Sequence, residues 1–175
     1  KYLKIADTVF VGGALMNPFF KALGYEVGKS LYESAGEDLK NLAQHKNLVL
    51  PTDVLVDKKA VRTAKDIKKE DTVRDIGPES LKALLSCIKE AEEILFNGPL
   101  GEYELGFDET TKKVLEAMSE TKARTVVGGG DTQVIVSRLK LENKFSFVST
   151  AGGAMIEFLA QGTLPGIEAL VPSKK

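Results

Sequence analysis

One cysteine and one histidine occur among the 175 residues. A single thiol excludes an internal disulfide framework. Cys87 falls in an apolar helical pattern, which predicts a buried, inert side chain. His45 stands alone in the polar run Gln44-His45-Lys46-Asn47, so this chain cannot by itself build a histidine metal cluster or a histidine-containing catalytic triad. No apolar run approaches the ~18 residues of a membrane span. An excess of charge of either sign is also missing. Net charge is -1 and the sequence pI is ≈ 6.0, so no global basic field recruits nucleic acid or an acidic membrane. Runs such as Lys65-Asp66-Ile67-Lys68-Lys69 alternate in sign and read as solvated surface. The first residues, Lys1 to Asp7, carry no signal-peptide core. Together with the single cysteine this is read as a reducing, cytoplasmic location. Neither Gly-x-Gly-x-x-Gly nor Gly-x-x-x-x-Gly-Lys-Ser/Thr occurs, so both common phosphate fingerprints are unavailable.

What is present is an alternation of apolar strands and amphipathic helices. Thr8 to Val11 reads as a short buried strand ending at Gly12-Gly13. Met16, Phe19, Phe20 and Leu23 then fall on one helical face, with Pro18 in the first turn and Gly24 at the end. A polar helical segment spans Glu33 to Gln44, and a strand Asn47 to Val56. Asp57 to Asp75 is charged and irregular, a short antiparallel excursion or loops. Pro78 opens a helix marked by Leu81, Leu84, Leu85 and Ile88. Glu93 to Phe96 is a strand leading into Asn97-Gly98-Pro99-Leu100-Gly101. A helix over Asp108 to Ser119 turns Val114, Leu115 and Met118 inward. Strand Arg124 to Val127, helix Gln133 to Leu139, strand Ser146 to Ser149 and helix Met155 to Gln161 complete the order.

Five such alternations predict one α/β domain over residues 1–175, a three-layer, doubly wound, mostly parallel sheet of Rossmann-like type. Glycine-containing loops at the strand carboxyl ends should converge on one cleft. The most telling stretch is Thr125 to Thr132, Thr-Val-Val-Gly-Gly-Gly-Asp-Thr. Gly128, Gly129 and Gly130 let the backbone approach a ligand closely. Asp131 and Thr132 follow at a helix start, where unpaired N–H groups favour an anion and a carboxylate can hold a metal. Asp131 also suits the plainer role of helix N-cap.

The ordered set Asp75-Ile-Gly-Pro, Asn97-Gly-Pro-Leu-Gly, Val127-Gly-Gly-Gly-Asp-Thr and Ser149-Thr-Ala-Gly-Gly-Ala resembles the carboxyl-terminal, nucleotide-binding domain of phosphoglycerate kinases. Val11-Gly-Gly-Ala, Gly24-Tyr-Glu-Val-Gly-Lys-Ser-Leu, Pro51-Thr-Asp-Val-Leu-Val and Leu164-Pro-Gly-Ile-Glu-Ala-Leu agree as well. The resemblance implies phosphoryl transfer between 1,3-bisphosphoglycerate and ADP with Mg²⁺, in a monomeric enzyme whose other domain holds the acid-sugar phosphate. It implies Mg²⁺ and phosphate roles for Asp131, Thr132 and Gly130, and a phosphate-side loop in Asn97, Gly98 and Pro99. Glu104 would accept the ribose hydroxyls, Gly12 and Gly13 would admit adenine, and Leu31 would cover the ring. Gly152 and Gly153 would face the transferring phosphoryl group.

Four positions depart from the family pattern. Ala151 replaces a glycine, Met155 a small hydroxyl residue, and Arg74 and Glu102 apolar residues. An alanine forced to positive φ would cost about 1 kcal/mol or more. Arg74 and Ala151 keep a second reading open, a structural or regulatory domain of this fold that binds no nucleotide. A third is another Mg²⁺-dependent phosphoryl-transfer enzyme. The resemblance also implies a strand ending in Gly-Gly-Ala-Lys-Val, followed by Ser-Asp-Lys, and these residues do not occur here. Its place is central, between Thr8–Val11 and Glu93–Phe96. Those strands are expected to lack a shared neighbour, and the chain alone is expected to be inactive and marginally stable.

Overall fold

A computed structural model describes residues 1–33 and 38–170. Strand β1 (Val9–Phe10) pairs in parallel with β2 (Leu48–Val49). Strands β3 (Asp53–Val56), β4 (Ala60–Thr63) and β5 (Val73–Ile76) form an antiparallel sheet in the order β4-β3-β5. Strands β6 (Glu93–Asn97), β7 (Arg124–Gly128) and β8 (Phe147–Ser149) form a parallel sheet in that order, with Asn97 opposite Gly128 and Gly128 opposite Ser149. Among the described strands parallel pairings outnumber antiparallel ones, and the Rossmann-like α/β class holds. Among the described residues β1 pairs only with β2, and β6 only with β7. Each therefore keeps one unpaired edge, as the sequence led us to expect.

The helices are α1 (Tyr2–Ile5), α2 (Met16–Ala22), α3 (Asp38–Ala43), α4 (Pro78–Glu90), α5 (Glu109–Glu120), α6 (Gly130–Leu139), α7 (Gly152–Gln161) and α8 (Pro165–Leu170). The predicted inward faces are the observed ones: Phe20 on α2, Leu81 and Ile88 on α4, and Val114, Leu115 and Met118 on α5 are buried. They join Val54, Ile76 and Val127 from the strands and Ile135 and Val136 from α6 in one apolar core. Asp53 on β3 accepts hydrogen bonds from the backbone N–H of Glu79 at 3.1 Å and of Ser80 at 2.8 Å. A carboxylate remote in sequence thus caps the start of α4.

Two local expectations change. The single strand Asn47–Val56 is two strands, because buried Pro51 has no N–H to continue a ladder and diverts the chain from β2 to β3. The antiparallel excursion expected after Asp57 is present, with β4 and β5 both pairing antiparallel to β3. Cys87 is exposed. It lies one residue, about 100° of helix rotation, from the buried position Ile88 and so leaves the apolar stripe. Part of the helix predicted over Glu33–Gln44 falls on residues 34–37, outside the described residues.

Helices α6 and α7 begin three residues earlier than their apolar pattern indicates, at Gly130 and Gly152. The glycine loops therefore supply the first helical turns themselves.

Candidate functional site

Four loops meet at the carboxyl ends of the parallel strands. From β6 the chain turns at Gly98 (φ 87), and the Leu100 N–H donates to Thr111 Oγ1 at 2.9 Å. That buried bond fastens the loop to the start of α5. From β7 the turn runs through Gly129 (φ 100), a backbone region that favours glycine. Gly98 N–H donates to Gly128 O at 3.3 Å, joining these two loops. From β8 the chain reaches Gly152, where an added β-carbon would lie 2.5 Å from Asn97 Oδ1 and 2.5 Å from Gly129 N. From β1 comes Gly12-Gly13. A β-carbon on Gly12 would meet Leu100 Cδ2 at 2.6 Å, and one on Gly13 would meet Pro99 O at 2.9 Å. Asn97, Gly98, Pro99, Gly128 to Thr132, Gly152, Gly12 and Gly13 thus occupy one neighbourhood, packed too closely for side chains at several of these glycines.

Within it, Thr132 is fully buried and its hydroxyl has no hydrogen-bond partner among the described residues. Buried polar atoms are rarely left so, and each exception needs a reason. The hydroxyl lies 3.4 Å from the β-carbon position of Gly129, inside the first turn of α6. Asp131, one residue earlier, is exposed and accepts a hydrogen bond from the Tyr103 hydroxyl at 3.1 Å. That bond raises the Tyr103 phenol above its ordinary value. It also brings the short turn Tyr103–Leu105, and with it exposed Glu104, to the start of α6. Gly153 has open space around it, and Gly130 likewise.

Leu31 is 83% exposed. Its carbonyl accepts from Asn17 Nδ2 at 3.0 Å, which places it beside the first turn of α2, the helix that the Gly12-Gly13 turn leads into. Among the described residues no group of three or more His, Cys, Asp or Glu could hold a metal ion by itself. A surface cavity of ≈ 520 Å³ lined by Lys89, Glu92, Glu120 and Lys122 lies at the other end of β6 and β7 and touches none of these loops.

The departures noted in the sequence have structural accounts. Ala151 has φ -109, so its β-carbon meets no left-handed backbone and the anticipated penalty is absent. The Met155 side chain packs toward Gly128, its Cε 2.3 Å from where a β-carbon there would stand. Arg74 and Glu102 are partners. The Arg74 guanidinium bonds Asp57 at 2.8 Å and also Glu102. Arg74, then Thr72, hold the Asp57 carboxyl below its ordinary value.

Sequence reasoning did not find Tyr103, Thr110 or Thr111. Two adjacent threonines at the start of a helix were the available signal. Thr110 Oγ1 donates to the buried Asp75 carboxylate at 2.5 Å, under Gly101 of the same loop. Burial pushes the Asp75 carboxyl up to about 7, against the hydrogen bonds from Thr110 and Ile76 and with a smaller push from Asp108.

Parallel strands, glycine loops gathered at their carboxyl ends and helices starting inside those loops define a Rossmann-like α/β protein. The family model of phosphoglycerate kinase matches residues 1–162. A curated phosphoglycerate kinase from Mycoplasmoides gallisepticum is 40% identical over 187 aligned residues, covering 96% of this chain and 45% of that protein. One from Buchnera aphidicola is 35% identical, covering 97% of this chain and 46% of the relative. The structure of phosphoglycerate kinase from Coxiella burnetii superposes with a TM-score of 0.83 at 34% identity, over 95% of this chain and 46% of that one. The chain belongs to the phosphoglycerate kinase family. It spans about 45% of the length of the curated relatives it matches.

Proposed function

We propose that this chain supplies the nucleotide side of a phosphoglycerate kinase, which moves the acyl phosphate of 1,3-bisphosphoglycerate to the terminal phosphate oxygen of ADP, giving 3-phosphoglycerate and ATP. The observation that carries the reading is Thr132, a buried hydroxyl without a partner in the first turn of α6. A phosphate oxygen is the acceptor it lacks. The free N–H groups of that first turn add donors, and the helix dipole favours negative charge. Asn97 would donate its side-chain N–H to the same phosphates. Gly152 at the start of α7 would present backbone N–H where charge develops on the moving group. Gly153, in open space, leaves room for that group.

The residues present suit magnesium. It binds through one or two carboxylates plus substrate phosphates rather than an all-protein cage, and Asp131 is one exposed carboxylate beside an orphaned hydroxyl. Asp131 would hold the ion, whose contribution when bound is neutralisation of polyphosphate charge. Glu104 would accept the ribose hydroxyls, since a carboxylate offers several acceptor sites to two donors. The tight Gly12-Gly13 turn would admit the flat face of adenine, with exposed Leu31 closing over it. A cytoplasmic setting goes with this reaction.

Calorimetry with Mg·ADP tests the reading. Saturable binding that disappears in Asp131→Ala supports it, and no binding by the folded wild-type chain overturns it. The acid-sugar phosphate site belongs to the other part of the enzyme, so the 175-residue chain by itself is proposed to have no kinase activity. ATP-dependent phosphorylation of 3-phosphoglycerate by the purified chain would refute that point. The unpaired edges of β1 and β6 suit one further parallel strand from the rest of the enzyme. Raised thermal stability on adding such a segment, in cis or as a second fragment, is the expected sign.

A further inference from the structure

The short loop carrying Glu104 is tied at both ends to the antiparallel sheet. At its start, Glu102 N–H donates to Arg74 O at 2.9 Å, and the Glu102 carboxylate accepts from Arg74 Nη1. Arg74 Nε donates at 2.8 Å to Asp57, on the hairpin tip between β3 and β4. At its end, Phe107 N–H donates to Glu102 O at 3.2 Å, closing the loop. The Lys59 ammonium lies 5.9 Å from the centre of the Phe107 ring. Lys58 and Lys59 reach these positions at φ 59 and φ 58, backbone that lysine seldom adopts and that the surroundings must enforce. Between the two ends stand Tyr103, bonded to Asp131, and Glu104.

We propose that Arg74 is a positioning residue for the ribose end of the nucleotide, holding the Glu102–Phe107 loop so that Glu104 stays in register with Asp131. This rests on the nucleotide reading given above. Arginine suits the task because two differently directed N–H groups of one planar guanidinium reach two carboxylates at once. The single ammonium of lysine holds no such fork. The pairs lie near the surface, with 42% and 49% side-chain exposure for Asp57 and Glu102. Pairs so placed add little to folding stability. Their consequence is therefore where the loop sits rather than whether the chain folds.

The test compares wild type, Arg74→Leu, Glu102→Gln and the double variant Arg74→Leu/Glu102→Leu. It reads amide exchange over residues 102–107 and the affinities for Mg·ADP and Mg·2′,3′-dideoxy-ADP. The inference requires wild type to prefer ADP. Arg74→Leu and Glu102→Gln should exchange faster in the loop and lose roughly fivefold to tenfold of that preference, with the dideoxy affinity nearly unchanged. The double variant should regain most of it, because an apolar contact again joins the two positions. An unchanged preference in both single variants overturns the inference. So does an equal loss for both nucleotides in Arg74→Leu without a change in Glu102→Gln, which would mark direct contact by Arg74. Should Arg74→Leu fail to fold, Glu102→Gln, at an exposed position, decides alone. A folded wild type that binds neither nucleotide overturns the nucleotide reading itself.

Discussion

The Asn97 side-chain oxygen stands 2.5 Å from the point where a β-carbon on Gly152 would lie. The carboxyl ends of β6 and β8 flank β7, and at Gly152 the backbone of one loop fills the space of a side chain from another. Asn97 can swing away, since it is exposed, but the Gly129 backbone at the same 2.5 Å cannot. Gly152→Ala is expected to destabilise the chain by roughly 1–3 kcal/mol in urea unfolding and to weaken Mg·ADP binding. Gly153→Ala, with nothing within 4 Å, is the control. It should leave stability unchanged or raise it by up to about 1 kcal/mol through helix propensity.

Thr132 offers a test in which stability and binding move in opposite directions. Thr132→Val keeps the shape and removes a buried hydroxyl that has no partner. Thermal unfolding should show a gain on the order of 1 kcal/mol. Titration with Mg·ADP should show the opposite, a loss of affinity, while Thr132→Ser retains most of it. A valine variant that binds Mg·ADP as tightly as the wild type would contradict the phosphate role of this hydroxyl, and one that is less stable would mean that it has a partner within the protein.

Asp75 should give the chain a pH-dependent stability. Its carboxyl is pushed up to about 7 in the fold, against an ordinary 3.8 when unfolded. Between those values the native chain holds a proton that the unfolded chain releases, so stability falls as pH rises through the window. The contribution is complete below the unfolded value and gone above the folded one. Urea unfolding at pH 5 and pH 8 should differ by on the order of a few kcal/mol from this group alone. Asp75→Asn, which cannot take the charge, should flatten that dependence. A wild-type profile already flat from pH 5 to 8 would contradict the assignment.

Much of the site is legible in sequence because its parts are local. Glycine-rich stretches mark where backbone must turn through positive φ or pass close to backbone, as at Gly98 and Gly129. The i, i+3, i+4 spacing of Leu81, Leu84, Leu85 and Ile88 names the buried face of α4 without coordinates. Pro51 shows the limit of this kind of reading. Its flanks are both apolar and strand-like, and only the missing N–H separates β2 from β3. Cys87 shows another, since one residue of helix rotation separates a core position from an exposed one.

The amino-acid sequence by itself determined the alternation of strands and helices, the glycine loops at the strand ends and the family to which they belong. Each of these depends on backbone conformation or periodic burial within a few neighbouring residues. Tertiary structure alone decided that Arg74 and Glu102, which look like two separate departures, form one ion pair. It also decided that Asp75 lies buried beneath the Asn97 loop, and that Thr132 keeps an unpaired hydroxyl in the first turn of α6. These are relations between side chains brought together by packing, and no spacing along the chain encodes the distance between them.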